Sequence, residues 1–323
     1  MQPKIKQLVV SPKIKQLEVS NDRRIICISD IHGELDLFKR LLDKVGFCDD
    51  DVLVLLGDIF SKGSQIHACL KYVMQLAARP NVHILRGNCD YWAEDYFNAD
   101  EVAWLEDLPH IIESEDFIFV HAGVSSQNLQ EQTARFCVNN VAFLENATNF
   151  DKWVMTGHWP TVSYCHEVPS DSPVVDCEKR VIAIDGGNLV LPHGQLNAFI
   201  VKDGEFSWDY VDNLPKTTMK QAQVGQKGTL NITWLDRFVE ILESGAEFSH
   251  VRHLAGGKVL SVPTNKIWQD NDGNFCSSEL ATDHWLAVDA GDVISVIETF
   301  SDRIFAKKNG EMGWIARDAA NEI

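Results

Sequence analysis

This sequence has no apolar run long enough to cross a lipid bilayer. A membrane-spanning helix needs roughly 20 consecutive, mostly apolar residues, and no apolar run in the 323 residues approaches that length. The first residues carry lysines without a continuous apolar core, so a secretory signal is not expected either. We therefore expect a protein without a membrane partner.

Basic residues and paired cysteines are also scarce. Lysine and arginine number 29 against 47 aspartates and glutamates, which gives a net charge of −18. Non-specific nucleic-acid binding depends on Lys and Arg that neutralise backbone phosphates, so nucleic acid is not an expected partner. The eight cysteines follow no paired spacing, and this indicates free thiols in a reducing cytoplasm.

Five short segments each place metal-binding side chains directly after an apolar run. Runs rich in Val, Ile and Phe that end at Gly, Asp or Asn are typical of buried strands. A sheet built from them would bring the five loops to one edge, where ligands usually bind in α/β folds. The segments are Asp30–Gly33, Gly57–Asp58, Gly87–Asp90, His121–Gly123 and Gly157–His158.

The residue types in these loops suit a pair of divalent ions. Two ions about 3.5–4 Å apart can hold a phosphoryl group and lower the pKa of a bridging water. A carboxylate must then span both ions, and Asp58 is the natural bridge because it is the only candidate ligand in its loop. Mixed imidazole, carboxylate and amide ligands favour Mn, Fe or Zn. The first ion would take Asp30 and His32, and the second Asn88, His121 and His158.

This pattern resembles the calcineurin-like metallophosphoesterases, and within them the phosphoprotein phosphatase family of serine/threonine phosphatases. The resemblance covers roughly residues 24–211 and extends to the segments Phe119–Val124, Arg180–Gly187 and Gln195–Val201. It implies an α/β fold, a four-layer α/β/β/α sandwich with two metals between the sheets. It also implies that Arg86 grips the substrate phosphate, a role that suits the fork of a guanidinium group.

Two departures from the family pattern concern the leaving group. Where the family reads Gly-Asp-x-x-Asp-Arg-Gly, this chain has Ser61 and Lys62 in place of the second Asp and the Arg. Where the family reads Gly-Asn-His-Glu, Cys89 replaces the His that is taken as general acid, and Asp90 replaces the Glu. A Cys at this position resembles a branch of small metallophosphoesterases that cleave phosphodiesters.

The missing His–Asp pair predicts a restriction on substrates. Protonation of a poor leaving group is worth about 10²–10⁴ in rate, so aryl phosphates, phosphotyrosine or phosphoanhydrides should be cleaved better than phosphoserine. Cys89 and Asp90, the latter as an alternative proton donor, are assigned catalytic roles together with Arg86. The substrate phosphate is expected to contact Arg86, Lys62 and Asn88.

Three classes of function remain open from the sequence. The first is a metal-dependent phosphatase of the serine/threonine family that uses a metal-bridging hydroxide on a phosphorylated protein or small phosphoester. Lys62 and Arg86 favour this class because two cations suit a dianionic monoester. The second is a phosphodiesterase or dinucleoside polyphosphate hydrolase with the same metals. The third is a scaffold without enzyme activity.

Composition changes divide the chain into four parts. The first contains a tandem repeat, Pro3–Ser11 and Pro12–Ser20, expected to form strands or an extended arm at a sheet edge. The second contains helices predicted at Asp36–Val45 and Ile66–Ala77 from their apolar spacing. The predicted parts are an N-terminal extension 1–22, a metallophosphatase domain 23–212, a linker and helix 213–245, and an SH3-like β domain 246–323.

The last two parts lie outside the resemblance to the phosphatases. Thr233 and Asp236 have the spacing of a capping box, which predicts an amphipathic helix over residues 235–242. The β-runs and turns from residue 285 onward resemble a bacterial SH3-like barrel. Such a domain would either recruit a peptide or protein partner or serve only as a packing module.

Overall fold

The computed structural model describes residues 10–20 and 23–321, which divide into two units. The first unit takes the described residues of Met1–Thr161 and Pro173–Asn213. The second takes Val162–Ser172 and Leu214–Ile323. This differs from the boundaries expected from the sequence, because an internal segment that follows His158 belongs to the second unit. No described helix has the length and apolar character needed to span a bilayer.

The first unit alternates strands and helices as the sequence predicted. Its helices are α1 (Leu35–Val45), α2 (Ile66–Ala77), α3 (Ala99–Asp107), α4 (Ala134–Val138) and α5 (Phe143–Asn146). Its strands are β1 (Ile14–Gln16), β2 (Ile25–Ile28), β3 (Val52–Leu55), β4 (Val82–Ile84), β5 (Ile111–Glu113), β6 (Phe117–Val120), β7 (Trp153–Thr156), β8 (Val174–Asp176), β9 (Val181–Ala183), β10 (Leu196–Lys202) and β11 (Glu205–Val211).

These strands form two sheets. One sheet has the order β1-β5-β6-β7-β9-β8, and the other has the order β11-β10-β2-β3-β4. Strands β2, β3 and β4 are parallel to one another, as are β6, β7 and β9. Residues of β2, β3 and β6 are buried throughout, as expected of strands that are covered on both faces.

The core lies on both faces of the sheet that contains β2. On one face, Cys27 and Val54 pack with Phe119 and Met155 of the other sheet, so the two sheets stack face to face. The opposite face, including Ile26 and Leu53, packs against apolar residues of α1 and α2. Burial of these apolar faces stabilises the stack by about 25 cal/mol per Å² removed from water. The predicted mixed α/β fold is therefore confirmed.

Part of the tandem repeat joins a sheet edge. In the second copy, β1 pairs in parallel with β5, with Ile14 opposite Ile111 and Gln16 opposite Glu113. This agrees with the expectation of a strand at the edge. Residues 3–9 of the first copy lie outside the described residues.

The second unit is built mainly from short strands. They are β12 (Lys216–Thr218), β13 (Val239–Glu243), β14 (Phe248–His253), β15 (Val259–Pro263), β16 (Trp268–Gln269), β17 (Phe275–Cys276), β18 (Val293–Thr299), β19 (Arg303–Lys308) and β20 (Glu311–Ala316). They form the sheets β12-β18-β19-β20, β13-β14-β15 and β16-β17. The predicted β character is present, but these separate ladders do not establish an SH3-like barrel.

The helix predicted over residues 235–242 is wrong, because residues 235–238 form no helix and Val239–Glu243 form β13. Its Val239 and Ile241 pair with His253 and Val251 of β14. The capping-box contact exists without a helix, since the backbone N–H and the hydroxyl of Thr233 both donate to Asp236 Oδ1, at 2.7 and 2.8 Å. Pairing with a distant strand overrides this local signal, as tertiary context often does.

Candidate metal centre

The predicted ligands follow the parallel strands of both sheets. Asp30, Asp58 and Asn88 come after β2, β3 and β4, while His121 and His158 come after β6 and β7. Parallel strands end at a common edge, which explains why residues so distant in sequence meet. A Cβ atom at Gly87 would collide with the carboxylate of Asp58, so the approach of these two loops requires glycine.

The backbone at several ligands is strained. Asp30, His32, Asp58 and His158 have φ values of 56°, 52°, 53° and 66°. Non-glycine residues adopt this left-handed region at a cost of about 1–3 kcal/mol each, and such strain concentrates at functional sites. The fold therefore holds these side chains in place at the expense of local stability.

The two carboxylate oxygens of Asp58 face different histidines. Oδ1 lies 3.5 Å from His121 Nε2, and Oδ2 lies 4.0 Å from His32 Nε2. Burial favours the protonated acid, but His121, His32 and Lys62 together hold the pKa of Asp58 below its usual value. Asp58 is thus an anion that presents one oxygen to each side, as a bridging ligand must.

Asp30 and His32 form one side of the site. Asp30 Oδ1 lies 3.7 Å from His32 Nε2, and its Oδ2 accepts hydrogen bonds from the Ser29 hydroxyl and from the backbone N–H of His158 at 3.0 Å. Ser61, at the position of the family's second Asp, has its hydroxyl 3.2 Å from His32 Nδ1. Asp30 and His32 are only 2% and 1% exposed, so any ion between them would be largely removed from water.

Asn88, His121 and His158 form the other side. In the neutral imidazole that can bind a metal, His121 Nδ1 would carry the proton, because it lies 2.7 Å from the carbonyl oxygen of Leu56, which can only accept. The lone pair of Nε2 then points to Asn88 Oδ1, a second acceptor 2.9 Å away. A cation between these two acceptors would satisfy both. Burial lowers the pKa of His158 to about 4, which keeps its imidazole neutral and able to bind a metal.

Two overlapping groups of donors could each hold a metal ion. Ligand atoms of Asp30, Asp58 and His121 lie within 4.8 Å of one another, and so do those of His32, Asp58 and Cys89. Asp58 belongs to both groups. Their imidazole and carboxylate donors fit the divalent ions expected from the sequence.

The two predicted phosphate-binding cations occupy different environments. The guanidinium carbon of Arg86 lies 3.6 Å from the centroid of the Tyr91 ring, and Arg86 is 8% exposed. The ammonium nitrogen of Lys62 lies 2.9 Å from His32 Nε2 and 3.6 Å from Cys89 Sγ. Lys62 thus contacts the predicted ligand His32 directly, whereas Arg86 packs on Tyr91.

Asp90 connects two of the ligand loops through hydrogen bonds to their backbone. It is fully buried, and its oxygens accept from the backbone N–H groups of Gly87 at 2.8 Å, Asp58 at 3.0 Å and Ile59 at 3.1 Å. Burial and the charge of Asp58 raise the pKa of Asp90 to about 6. Because both oxygens are engaged by the backbone, this geometry suits a positioning role better than the proton-donor role considered from the sequence.

Sequence reasoning missed two buried residues beside Asp30. Asn188 Nδ2 donates to the carbonyl oxygens of Ile31 at 3.1 Å and Asp30 at 3.3 Å. Asp185 accepts from the Gly187 backbone N–H at 2.8 Å, and burial together with Asp30 raises the pKa of Asp185 well above its usual value. Both follow β9, the third parallel strand of its sheet. The search for polar residues directly after a short apolar run, which located the five loops, could therefore also have located Asp185 and Asn188.

The sequence profile of the calcineurin-like phosphoesterases matches residues 23–191. The chain belongs to this family. Family membership confirms the predicted metallophosphoesterase domain, and the converging donors described above agree with it.

Curated relatives of this calcineurin-like phosphoesterase are symmetrical bis(5'-nucleosyl)-tetraphosphatases. That of Aggregatibacter actinomycetemcomitans is 31% identical over 137 residues, 35% of this chain and 49% of the relative. That of Glaesserella parasuis is 30% identical over 123 residues, 31% of this chain and 44% of the relative. The chain thus spans about half the length of the curated relatives it matches. The narrower assignment to serine/threonine phosphatases is not supported by these relatives.

Solved structures show a more distant likeness. A crystal structure described as that of a candidate diadenosine tetraphosphatase is 18% identical, covers 62% of this chain and 99% of its own, and has a TM-score of 0.48. A serine/threonine phosphatase of Saccharomyces cerevisiae is 14% identical over 64% of this chain and 85% of its own, with a TM-score of 0.44.

Proposed function

We propose that this protein hydrolyses a phosphoanhydride bond, with a dinucleoside polyphosphate as the substrate class. The sequence allows this class as the alternative to a protein phosphatase. The curated relatives support it, since those described above are tetraphosphatases. The arrangement around Cys89 and Asp90 supports it independently.

The proposal depends mainly on how a proton would reach the leaving group. Cys89 occupies the position at which the resemblance places a general acid, and burial raises the pKa of its thiol. Both carboxylate oxygens of Asp90 are engaged by hydrogen bonds from three backbone N–H groups. A nucleotide phosphate is a stable anion that leaves with little help, whereas a serine alkoxide gains about 10²–10⁴ in rate from protonation.

The protein's own residues would divide the remaining work. Two divalent ions bound by the six ligands would lower the pKa of a water and withdraw charge from the phosphoryl group. Asp58 would connect the two halves of the site, because one of its oxygens faces His32 and the other faces His121. Arg86 and Lys62 would orient and neutralise the substrate phosphates, Arg86 through two parallel N–H···O bonds.

A substrate panel tests the proposal. We expect faster hydrolysis of diadenosine tetraphosphate, per enzyme and with Mn²⁺ present, than of a phosphoserine peptide, an aryl monoester or a bis-aryl diester. Asp58→Asn serves as the control for contaminating phosphatases and should lose activity on every substrate. Equal or faster turnover of the phosphoserine peptide would overturn the proposal. Absence of activity on all four would favour the scaffold interpretation.

A monoester phosphatase is the second candidate. It is favoured by the two cations Lys62 and Arg86, since a dianionic monoester would be neutralised by both. In the same panel, this candidate predicts that the aryl monoester is the fastest substrate and that diadenosine tetraphosphate is slow.

A further inference from the structure

Cys89 lies among metal-binding atoms, although the family resemblance assigns its position to a general acid. Its Sγ, a ring nitrogen of His32 and a carboxylate oxygen of Asp58 all lie within 4.8 Å of one another. His32 and Asp58 are both predicted ligands of the first ion. The sulfur is therefore within reach of the same ion after small side-chain movements.

The space between these donors attracts a positive charge. The ammonium nitrogen of Lys62 lies 2.9 Å from His32 Nε2 and 3.6 Å from Cys89 Sγ. His32 Nε2 is also the atom that faces Asp30 and Asp58, at 3.7 and 4.0 Å. The imidazole nitrogen and the sulfur thus already share one cation, and a divalent ion would interact with the same atoms more strongly.

The backbone holds Cys89 in this position. Its N–H donates to Asp58 Oδ1 at 2.8 Å, and Asn88 Nδ2 lies 3.5 Å from its sulfur. The residue begins the 3-10 helix Cys89–Asp95, whose start is fixed by the hydrogen bonds of Asp90 to neighbouring loops. The sulfur therefore does not depend on a mobile loop for its placement.

We propose that Cys89 is a ligand of the first metal ion, together with His32 and Asp58. The inference rests on the proposed two-metal function and adds a sulfur donor to it. On binding, a metal–sulfur bond forms, the thiol proton passes to solvent and a water leaves the ion, without oxidation or reduction. Lys62 is displaced from these atoms and becomes available to the substrate phosphate.

A sulfur donor alters the choice of metal. Thiolates select softer ions such as Zn²⁺ over Mg²⁺ or Ca²⁺. We therefore expect the first site to retain Zn²⁺ or Co²⁺ against competing Mg²⁺, and to lose this preference when the sulfur is replaced.

Cobalt spectroscopy tests the ligand directly. The protein is stripped of metal and titrated with Co²⁺ alone, and the near-ultraviolet sulfur-to-cobalt charge-transfer band is recorded. We expect the band in the wild type and its loss in Cys89→Ser, with the visible cobalt bands retained. Cys48→Ser is the matched control, because this exposed cysteine in the same unit should not affect the band. Persistence of the band in Cys89→Ser would overturn the inference.

The outcomes separate this inference from the proposed function. Cobalt bound without a charge-transfer band in the wild type refutes the sulfur ligand and leaves the two-metal site intact. Failure to bind cobalt at all refutes both.

If Cys89→Ser does not fold, alkylation of the wild type decides the question. The protein is treated with iodoacetamide, with and without Zn²⁺, and its peptides are analysed by mass spectrometry. Zinc should protect Cys89 and leave Cys48 reactive, whereas equal labelling of Cys89 in both samples would overturn the inference.

Discussion

The guanidinium group of Arg86 stacks on the ring of Tyr91, with 3.6 Å between its central carbon and the ring centroid. The Nε atom of Arg86 is buried and, within the described residues, has no hydrogen-bond partner, so the stack is a main support of the side chain. Tyr91 is in turn held by its hydroxyl, 2.7 Å from His110 Nε2. A residue outside the motifs thus positions the predicted phosphate-binding cation.

Replacing the ring should therefore weaken substrate binding. A cation–π contact is worth about 0.5–2 kcal/mol, so we expect Tyr91→Leu to raise KM about 2- to 30-fold with a smaller effect on kcat. Tyr91→Phe is the matched control, because it keeps the ring and loses only the hydroxyl. Steady-state kinetics on the preferred substrate would measure both. Unchanged KM in Tyr91→Leu would argue against Arg86 as the phosphate-binding group.

Restoring the family's leaving-group machinery should change substrate preference. We expect the double substitution Cys89→His with Ser61→Asp to raise the rate on a phosphoserine peptide relative to an aryl phosphate by about 10- to 100-fold, within the range of general acid catalysis. The physical reason is that a protonated imidazole held by a carboxylate can donate to an alkoxide. Ser61→Asp alone is the control and should not change the ratio. The idea fails if the double variant shows the wild-type ratio.

His110 should make stability depend on pH. Burial, Arg86 and Lys13 lower its pKa to about 4, whereas the unfolded chain has a histidine pKa of about 6.5. Between these two pKa values the unfolded state therefore binds more protons than the folded state. The contribution of the neutral His110 to stability is complete above about pH 6.5 and is lost as the pH falls towards 4. The expected slope is about 1.4 kcal/mol per pH unit for this group.

Denaturant unfolding at several pH values, in the presence of EDTA, measures this slope. His110→Gln should reduce the dependence on pH by about one proton compared with wild type. The comparison isolates His110, because His83 and His158, which also have lowered pKa values, are present in both proteins. Identical slopes in the two proteins would contradict the prediction.

A buried ion pair ties an internal segment to the second unit. Asp171 Oδ2 lies 3.0 Å from Lys307 Nζ, and both side chains are fully buried. Asp171 belongs to Val162–Ser172, a segment that begins four residues after His158. Removing one partner of a buried ion pair costs about 3–5 kcal/mol, because the remaining charge loses the opposite charge that offsets its burial.

We therefore expect Lys307→Met to lower the unfolding free energy by about 3–5 kcal/mol, and Lys307→Met with Asp171→Leu to recover a large part of the loss. Chemical denaturation of the three proteins measures this. A single variant as stable as wild type would contradict the pairing. The same geometry predicts that a chain shortened after Asn213 is unstable around Asp171, because Lys307 is then absent.

Local and periodic features of the fold could be predicted from the sequence. Helices α1 and α2 were placed within one residue because their apolar spacing agrees with the helix period, and the ligand loops were placed because each follows a short buried strand. The convergence of Asp30, Asp58 and His121 followed from the shared edge of parallel strands.

Features that depend on distant partners could not be predicted. The apolar residues around Val239 fit both the spacing of a helix and the alternation of a strand. The chain forms a strand there because it pairs with β14. Residues 162–172 contact distant residues of the second unit, among them Lys307, which lies 136 positions after Asp171. Likewise, the supporting role of Asp90 depends on amides of Asp58 and Ile59 in another loop, which no local pattern reveals.

Metal stoichiometry tests the central claim most directly. Protein purified without added ions is loaded with Mn²⁺ or Zn²⁺, freed of excess metal and analysed by elemental mass spectrometry beside Asp58→Asn. If six side chains from separate loops hold two ions with Asp58 between them, the wild type should carry close to two ions per chain and the variant clearly fewer, with the fold unchanged by circular dichroism. A wild type that retains less than one ion, or a variant that retains as many as the wild type, would contradict it.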